Sequence, residues 1–543
     1  MNKSALAAAL GLALAVCGNA HAAKVTLLNI DAPGAGLNDT TPAAPQGANP
    51  GTTVGDQRRI AYEFAADLWG AVLESDVEIK VYASFTPLAC TAASGVLGSA
   101  GANWIVFNFP GADPDVLYHS ALGDAIAGED LVPDPSDPGD ILSRFNANLG
   151  QPGCLESSGW YYGLDGNTPA GSINFLNVVM HEIGHGLGFS GFVNKTTGAL
   201  LAGLPDVYTR VAYDNQQNLR FTDPAMTNAL RAVSMRTPGR TVWDGSEVNS
   251  QAALILDDLI LLRASGTLAA DFTYGTASFG PAATASNFTG ALVIANDGVG
   301  DTADACEPLA AGSLAGKIAF TNRGTCGFEA KALNAQNAGA IGVVIGNVAA
   351  SAAPGTAPGM ADDPLVTATV PTISLNLADG DAIRAAPPGV NVTLGVVPGR
   401  LAGADANGRT QLYSPTTVAT GSTFSHFDTA LVPNALMEPA ITSTLRGEVN
   451  VDLTPALFDD IGWTLNSGNA RIGNCTTNVD VVGAGGLIPG ANVQAWSNLC
   501  LRSNATKDGY QSCMEAYKTY ALGAGILVGN QGGKVMSCAA KII

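Results

Sequence analysis

The chain has 543 residues, with 46 acidic against 26 basic side chains, a formal charge of −20 and 47% hydrophobic residues. That length implies about two to four domains and allows more than one sizeable core. A charged fraction of only 13% excludes an intrinsically disordered chain, and the acidity argues against nucleic acid as the main partner, since phosphate recognition wants a basic face.

The first segment, Met1–Ala22, carries Lys3, an apolar core from Ala5 to Cys17, and the small-x-small triplet Ala20-His21-Ala22. This pattern predicts a secretory signal and therefore an extracellular or periplasmic protein. Its apolar core is too short for a membrane span of about 20 residues, and no later segment reads as a span. Loss of Cys17 with the signal leaves eight of the nine cysteines. An even number in an exported chain suggests disulfides.

Val25–Ile30 reads as a strand, and 32–55 as a Gly/Pro/Asn-rich loop. Arg58–Glu74 has helical spacing through Ile60, Phe64, Ala65, Leu68 and Trp69, and Val77–Phe85 alternates as a strand does. A Gly/Pro-broken stretch then runs to Ala170. Its acidic loop, 133–140, lacks the ligand spacing of an EF-hand, so calcium is unsupported and a solvated turn is expected.

Ser172–Leu187 reads as a helix holding His181-Glu182-Ile183-Gly184-His185. Two histidines four apart project from one helix face, so both imidazoles can reach one metal ion. Glu182 beside them can take a proton from a water that a zinc ion has made acidic. By composition, a chance His-acid-x-x-His is expected about 0.004 times in such a chain. The apolar flank Phe175, Leu176, Val178 and Val179 and the helix-terminating Gly188 complete the context.

Composition shifts near Phe279-Gly280-Pro281. From there to about Pro398 short β-branched runs alternate with an Ala-rich helix, Phe328–Ala338, an α/β pattern. Gln411–Tyr413 is strand-like and Pro455–Ile461 helix-like. The tail from about Asn466 holds Cys475, Cys500, Cys513 and Cys538, which can pair in three ways, and reads as a small disulfide-held helical module with helical runs near Gln511–Ala521.

His181 to Gly188 resembles the metzincin metalloproteases, whose pattern is H-E-x-x-H-x-x-G-x-x-H, but the expected third ligand position is Gly191. The other histidines of the mature chain are His119, read as structural or superficial, and His426. Ser425-His426-Phe427-Asp428 followed by Asn434-Ala435-Leu436-Met437-Glu438-Pro439 is similar to leishmanolysin-type metzincins, in which a large insertion precedes the third histidine. The resemblance implies zinc held by His181, His185 and His426, Glu182 as general base, and Met437 in a methionine turn beneath the metal. Pro439 stands where astacin-like metzincins have a tyrosine, so no tyrosine is assigned to the transition state. The same resemblance implies that the substrate polypeptide adds as a strand to a sheet edge, for which Ile141–Leu149 is the candidate.

A second resemblance lies in the insertion. Cys306-Glu307-Pro308, Gly316-Lys317-Ile318-Ala319, Arg323-Gly324-Thr325-Cys326-Gly327-Phe328, Lys331, Val343–Asn347 and Val370-Pro371 together resemble the protease-associated (PA) domain. It implies a β-rich, non-catalytic domain with a Cys306–Cys326 disulfide, serving as lid, docking surface or spacer. Cys90 and Cys154 are then left to pair with each other.

The expected fold is α+β. Residues 1–22 are the signal peptide, 23–280 the first part of a metzincin-like catalytic domain (a twisted sheet plus the active-site helix), and 281–398 a PA domain. Residues 399–466 are the second part of the catalytic domain and 467–543 the C-terminal module. The expected activity is that of a secreted zinc metalloendopeptidase acting on protein or peptide substrates. The alternatives are a catalytically inactive exported binding protein that uses the PA and C-terminal modules, and a zinc hydrolase of non-protein amides. Retention of Glu182 argues for catalysis, because structural zinc needs no base. The motifs assign no oligomeric state.

Overall fold

The computed structural model describes residues 22–137 and 139–542. The expected signal segment lies outside these residues except for Ala22. The chain is a mixed α/β protein that divides into two compact units, Met1–Asp257 with Gly403–Ile543, and Asp258–Ala402. None of the described helices is long and apolar enough to cross a membrane.

In the first unit a four-stranded sheet runs in the order Val25–Asn29, Ile79–Thr86, Ile141–Asn146, Gly98–Ala102. The first three strands are mutually parallel, with Leu27 opposite Val81 and Val81 opposite Ile141. The fourth is antiparallel, Ala100 facing Ser143. Ile141–Asn146 is therefore an inner strand, and the expectation that it forms the sheet edge is corrected: the edge is Gly98–Ala102. Alternation puts Val81, Ala83, Ile141, Ser143 and Phe145 into the core.

The helix Val54–Val72 is capped by Thr53, whose side chain accepts from the Asp56 N–H. It packs on this sheet through Tyr62, whose hydroxyl lies 2.9 Å from Ser143 Oγ. It also meets the helix Phe175–Leu187, to which Trp69 Nε1 donates at Met180 O, 2.9 Å. That second helix starts three residues later than the sequence suggests, because Ser172–Asn174 forms a short strand paired with Gly159–Tyr161 and Asn174 then caps the helix. Its Gly186 allows close seating on the sheet, since a Cβ there would come within 2.3 Å of Ile141 Cγ2.

The tail belongs to this same unit rather than standing as a free module. Its helix Pro489–Ser503 packs on Val54–Val72, with Trp496 edge-on to Phe64 (centroids 5.5 Å apart) and Arg502 Nη2 2.8 Å from Asp67 Oδ2. An antiparallel pair, Asn469–Ile472 with Cys475–Asp480, adds strand character where little was expected. Two bridges, Cys475–Cys538 and Cys500–Cys513, tie it together.

The second unit is built on an eight-stranded sheet. Its centre, Thr289–Ile294, Ile318–Asn322, Gly342–Gly346 and Thr372–Leu375, is parallel. Successive residues serve opposite faces: Val344 packs with Phe320 and Ile383 of the helix Leu377–Ala385, whereas Val343 and Ile345 pack with Ala332 and Ala335 of the helix Phe328–Asn337. The composition shift at 279–281 falls inside this unit. Asp258–Gly266 precedes it and pairs along Val390–Leu401. The Cys306–Cys326 disulfide is formed.

Candidate metal centre

The helix Phe175–Leu187 puts His181, Glu182 and His185 in the protein interior, each no more than 7% exposed. Gly188, at φ +130°, ends the helix and reverses the chain. The next carbonyl, Phe189 O, thereby returns to His185 Nδ1 at 2.8 Å. His426 arrives from the far side of the insertion, on the segment beside Phe424. Gly191, the position of the missing third ligand, lies against that segment, since a Cβ on it would sit 2.4 Å from Phe424 Cε1. The space in which a histidine at 191 would begin is thus taken by the chain that delivers His426.

The three imidazoles converge. His181 Nε2 and His185 Nε2 are 3.0 Å apart, and His426 Nε2 is 3.2 Å from each. Every Nδ1 faces a backbone carbonyl: His181 that of Leu436 at 2.8 Å, His185 that of Phe189, and His426 that of Ser422 at 2.9 Å. A carbonyl can only accept, so each Nδ1 carries the proton and each Nε2 presents a lone pair to the other two. Burial keeps the rings neutral, holding His181 down to about 4 and His185 to about 3, and His426 well below its ordinary value. Three neutral lone pairs pointed at one spot repel one another, and a cation removes that repulsion. The donor set therefore fits zinc, with three nitrogens and an open fourth position.

Glu182 adds an acid to this face. It is 5% exposed, and burial pushes its carboxyl up to about 8, opposed by the Ala100 backbone N–H. Its Oε2 has no hydrogen-bond partner among the described residues. Gly98 on the edge strand makes room for it, because a Cβ at that position would lie 2.5 Å from Glu182 Oε1.

Beneath the histidines, Met437 Sδ would be 2.9 Å from a Cβ on Gly184, so the thioether sits directly on the helix. The turn bearing it is tied to the ligand segments on both sides: Leu436 O accepts from His181, and Met437 O accepts from the Phe427 N–H at 2.9 Å. Asp452, half-buried, accepts from the Leu436 N–H at 2.6 Å, and Glu438 accepts from the Ala435 N–H. His119 is excluded from the cluster. It is fully buried, with Nε2 2.8 Å from Ser190 Oγ and its ring against Phe192, a structural histidine.

The histidines and Glu182 line a cleft of about 860 Å³, bordered by Ala93–Ala100, by Gly191 and Lys195, and by Ser422 and Glu438–Ile441. The Cys90–Cys154 disulfide, Cα atoms 5.1 Å apart, pins the chain entering the edge-strand wall. The edge strand, Lys195, Glu438 and Asp452 did not stand out in the sequence. Lys195 had one available signal, as the sole cation between His185 and Arg210.

Residues 288–383 match the PA domain family. The chain thus contains a PA domain, carried within its second compact unit. No curated protein matches the chain. Among solved structures it is similar to a zinc aminopeptidase from Bacillus subtilis, at 20% identity and a TM-score of 0.19, over 28% of this chain and 37% of that one. A peptidase M28 precursor from Shewanella amazonensis is similar at 18% identity and a TM-score of 0.20, over 27% and 40%. A psychrophilic subtilisin-like protease, Apa1, from Pseudoalteromonas sp. AS-11 is similar at 20% identity and a TM-score of 0.19, over 26% and 34%. The chain spans about two fifths of the length of the first two, and likenesses this slight carry no argument about the reaction.

Proposed function

We propose that the chain is a secreted zinc-dependent metalloendopeptidase, leishmanolysin-like in the layout of its ligands. The observation that carries this reading is the convergence of three Nε2 lone pairs, each fixed by a carbonyl behind it, beside a buried carboxylate with a free oxygen. His181, His185 and His426 would hold the ion. Zinc so bound supplies positive charge that polarises a peptide carbonyl and acidifies a water. Glu182, one residue from His181 on the same helix and buried at the cleft, takes the proton of the attacking water and passes it to the leaving amine. Met437 supports the helix from below. Gly98–Ala102, antiparallel at the sheet edge, offers backbone groups to an extended polypeptide running along the cleft. This favours cleavage within a chain. Four disulfides suit an oxidising compartment.

The test is casein hydrolysis by the zinc-loaded protein, with and without a chelator, and by Glu182→Ala. The wild type should cleave at internal bonds and lose activity with its zinc, while Glu182→Ala keeps zinc and loses about 10²–10⁴ in rate. A wild type with full zinc that cleaves no protein would turn the reading toward an exported binding protein.

A further inference from the structure

The cleft has one lysine among its lining residues. Apart from the histidines, its other charged groups are Glu182 and Glu438, and both oxygens of Glu438 are engaged, Oε1 by the Ala435 N–H at 2.9 Å and Oε2 by Asn434 Nδ2 at 3.0 Å. Lys195 is different. Its ammonium gives one hydrogen bond, to Gly191 O at 2.5 Å, and stands 5.9 Å from the centre of the Phe424 ring. Among the described residues no carboxylate forms an ion pair with it. Asp206, the acid that acts on it electrostatically, is already occupied by the N–H groups of Phe192 and Thr209 and by Thr209 Oγ1.

An ammonium has three donors, so two of them find no acceptor among the described residues. Holding a cation in a partly desolvated wall is costly unless something of opposite charge meets it. The segment carrying it follows the metal-binding helix, and Lys195 lines the same cleft as His181, His185 and His426.

We propose that Lys195 is a specificity-determining residue that binds a substrate carboxylate next to the scissile bond. The carboxylate is either an Asp or Glu side chain, in keeping with internal cleavage, or the C-terminal carboxylate of a peptide, which would make the cleavage one that releases C-terminal residues. This inference rests on the peptidase reading above. Gly191 O fixes the ammonium, leaving its remaining N–H groups for the carboxylate. A charge-assisted pair of this kind discriminates acid from amide by about tenfold or more.

The experiment uses the full-length zinc-loaded protein and matched peptides that differ only by Glu against Gln beside the cleavage site, or by a free against an amidated C-terminus. The wild type should prefer the acidic member of one pair by about tenfold in kcat/KM, and the pair that responds names the source of the carboxylate. In Lys195→Gln that ratio should fall to about one, and in Lys195→Glu it should invert. A binding readout runs in parallel on Glu182→Gln, which holds peptide without cleaving it: the acidic peptide should bind about tenfold more weakly once Lys195→Gln is added. A wild type that cleaves peptides without regard to charge overturns the proposal while leaving the peptidase reading intact. So does a Lys195→Gln variant that is slower on both members of a pair with their ratio unchanged. A wild type that cleaves no peptide removes both.

Discussion

Gly98→Ala probes the seating of Glu182 without touching a proposed ligand. The added Cβ would lie 2.5 Å from Glu182 Oε1 and 2.9 Å from both Cγ and Cδ. Three contacts so short cannot be relieved by one small rotation, so either the edge strand retreats or the carboxylate leaves its place. Overpacking of this kind costs about 1–3 kcal/mol. Displacing a catalytic group by about 1 Å can lower a rate by about 10². The expected outcome is a kcat reduced between ten- and a hundredfold, with the zinc content unchanged, since His181, His185 and His426 are held by the carbonyls of Leu436, Phe189 and Ser422 and not by Glu182. Gly101→Ala on the same strand is the control, because its Cβ would meet nothing within 4 Å; its kcat should stay within about threefold of wild type, as a substitution clear of such contacts does. Peptide hydrolysis and atomic spectrometry on the same preparations decide the matter. A Gly98→Ala enzyme as active as Gly101→Ala would refute the placement of Glu182 against the edge strand.

Asp452→Ala leaves the Leu436 N–H without its acceptor and loosens the peptide whose carbonyl orients His181; zinc affinity should weaken about 10- to 100-fold in a competition titration, and an unchanged affinity would sever that link. Asp124, raised by burial to about 7, is hydrogen-bonded to Asp140, which is also raised by burial. The folded state therefore holds a proton that the unfolded chain releases near the ordinary carboxyl value of 3.8, so this contribution to stability is complete below about 4 and is lost as pH rises through about 7. Asn at 124 mimics the protonated acid, keeping an acceptor for the Leu131 N–H; denaturant midpoints between pH 5 and 8.5 should fall less steeply in Asp124→Asn than in the wild type, and parallel curves would contradict the assignment. Replacing Cys306 and Cys326 by serine opens a bridge of sequence separation 20; calorimetry should register a loss of about 3 kcal/mol, with zinc content unaltered.

The placement of His181, Glu182 and His185 together was legible because the pattern is local: one helix, one face, one spacing. His426 was legible only through the company of Met437, as 241 residues separate it from His185. The wall of the cleft was not. Gly98–Ala102 has the composition Gly-Ser-Ala-Gly-Ala, which no strand propensity favours. Its glycine serves the neighbouring Glu182 rather than the sheet, a tertiary requirement invisible along the chain. Ile141–Asn146, with stronger strand character, looked the better edge and instead lies inside, paired on both sides. The second compact unit takes in Asp258–Gly266 through its pairing with Val390–Leu401, more than a hundred residues on, a long-range contact that the local Gly-Pro signal at 280–281 does not carry. The tail's attachment to Val54–Val72 rests on Trp496 and Arg502, two side chains whose partners could not be named from spacing.

His181, His185 and His426 would share one ion. X-ray absorption at the zinc edge, on protein loaded with one equivalent, should show three imidazole nitrogens at about 2.0–2.1 Å and a further light atom, with one imidazole lost in His426→Ala. Two imidazoles in the wild type, a sulfur shell near 2.3 Å, or a spectrum indifferent to His426→Ala would contradict it.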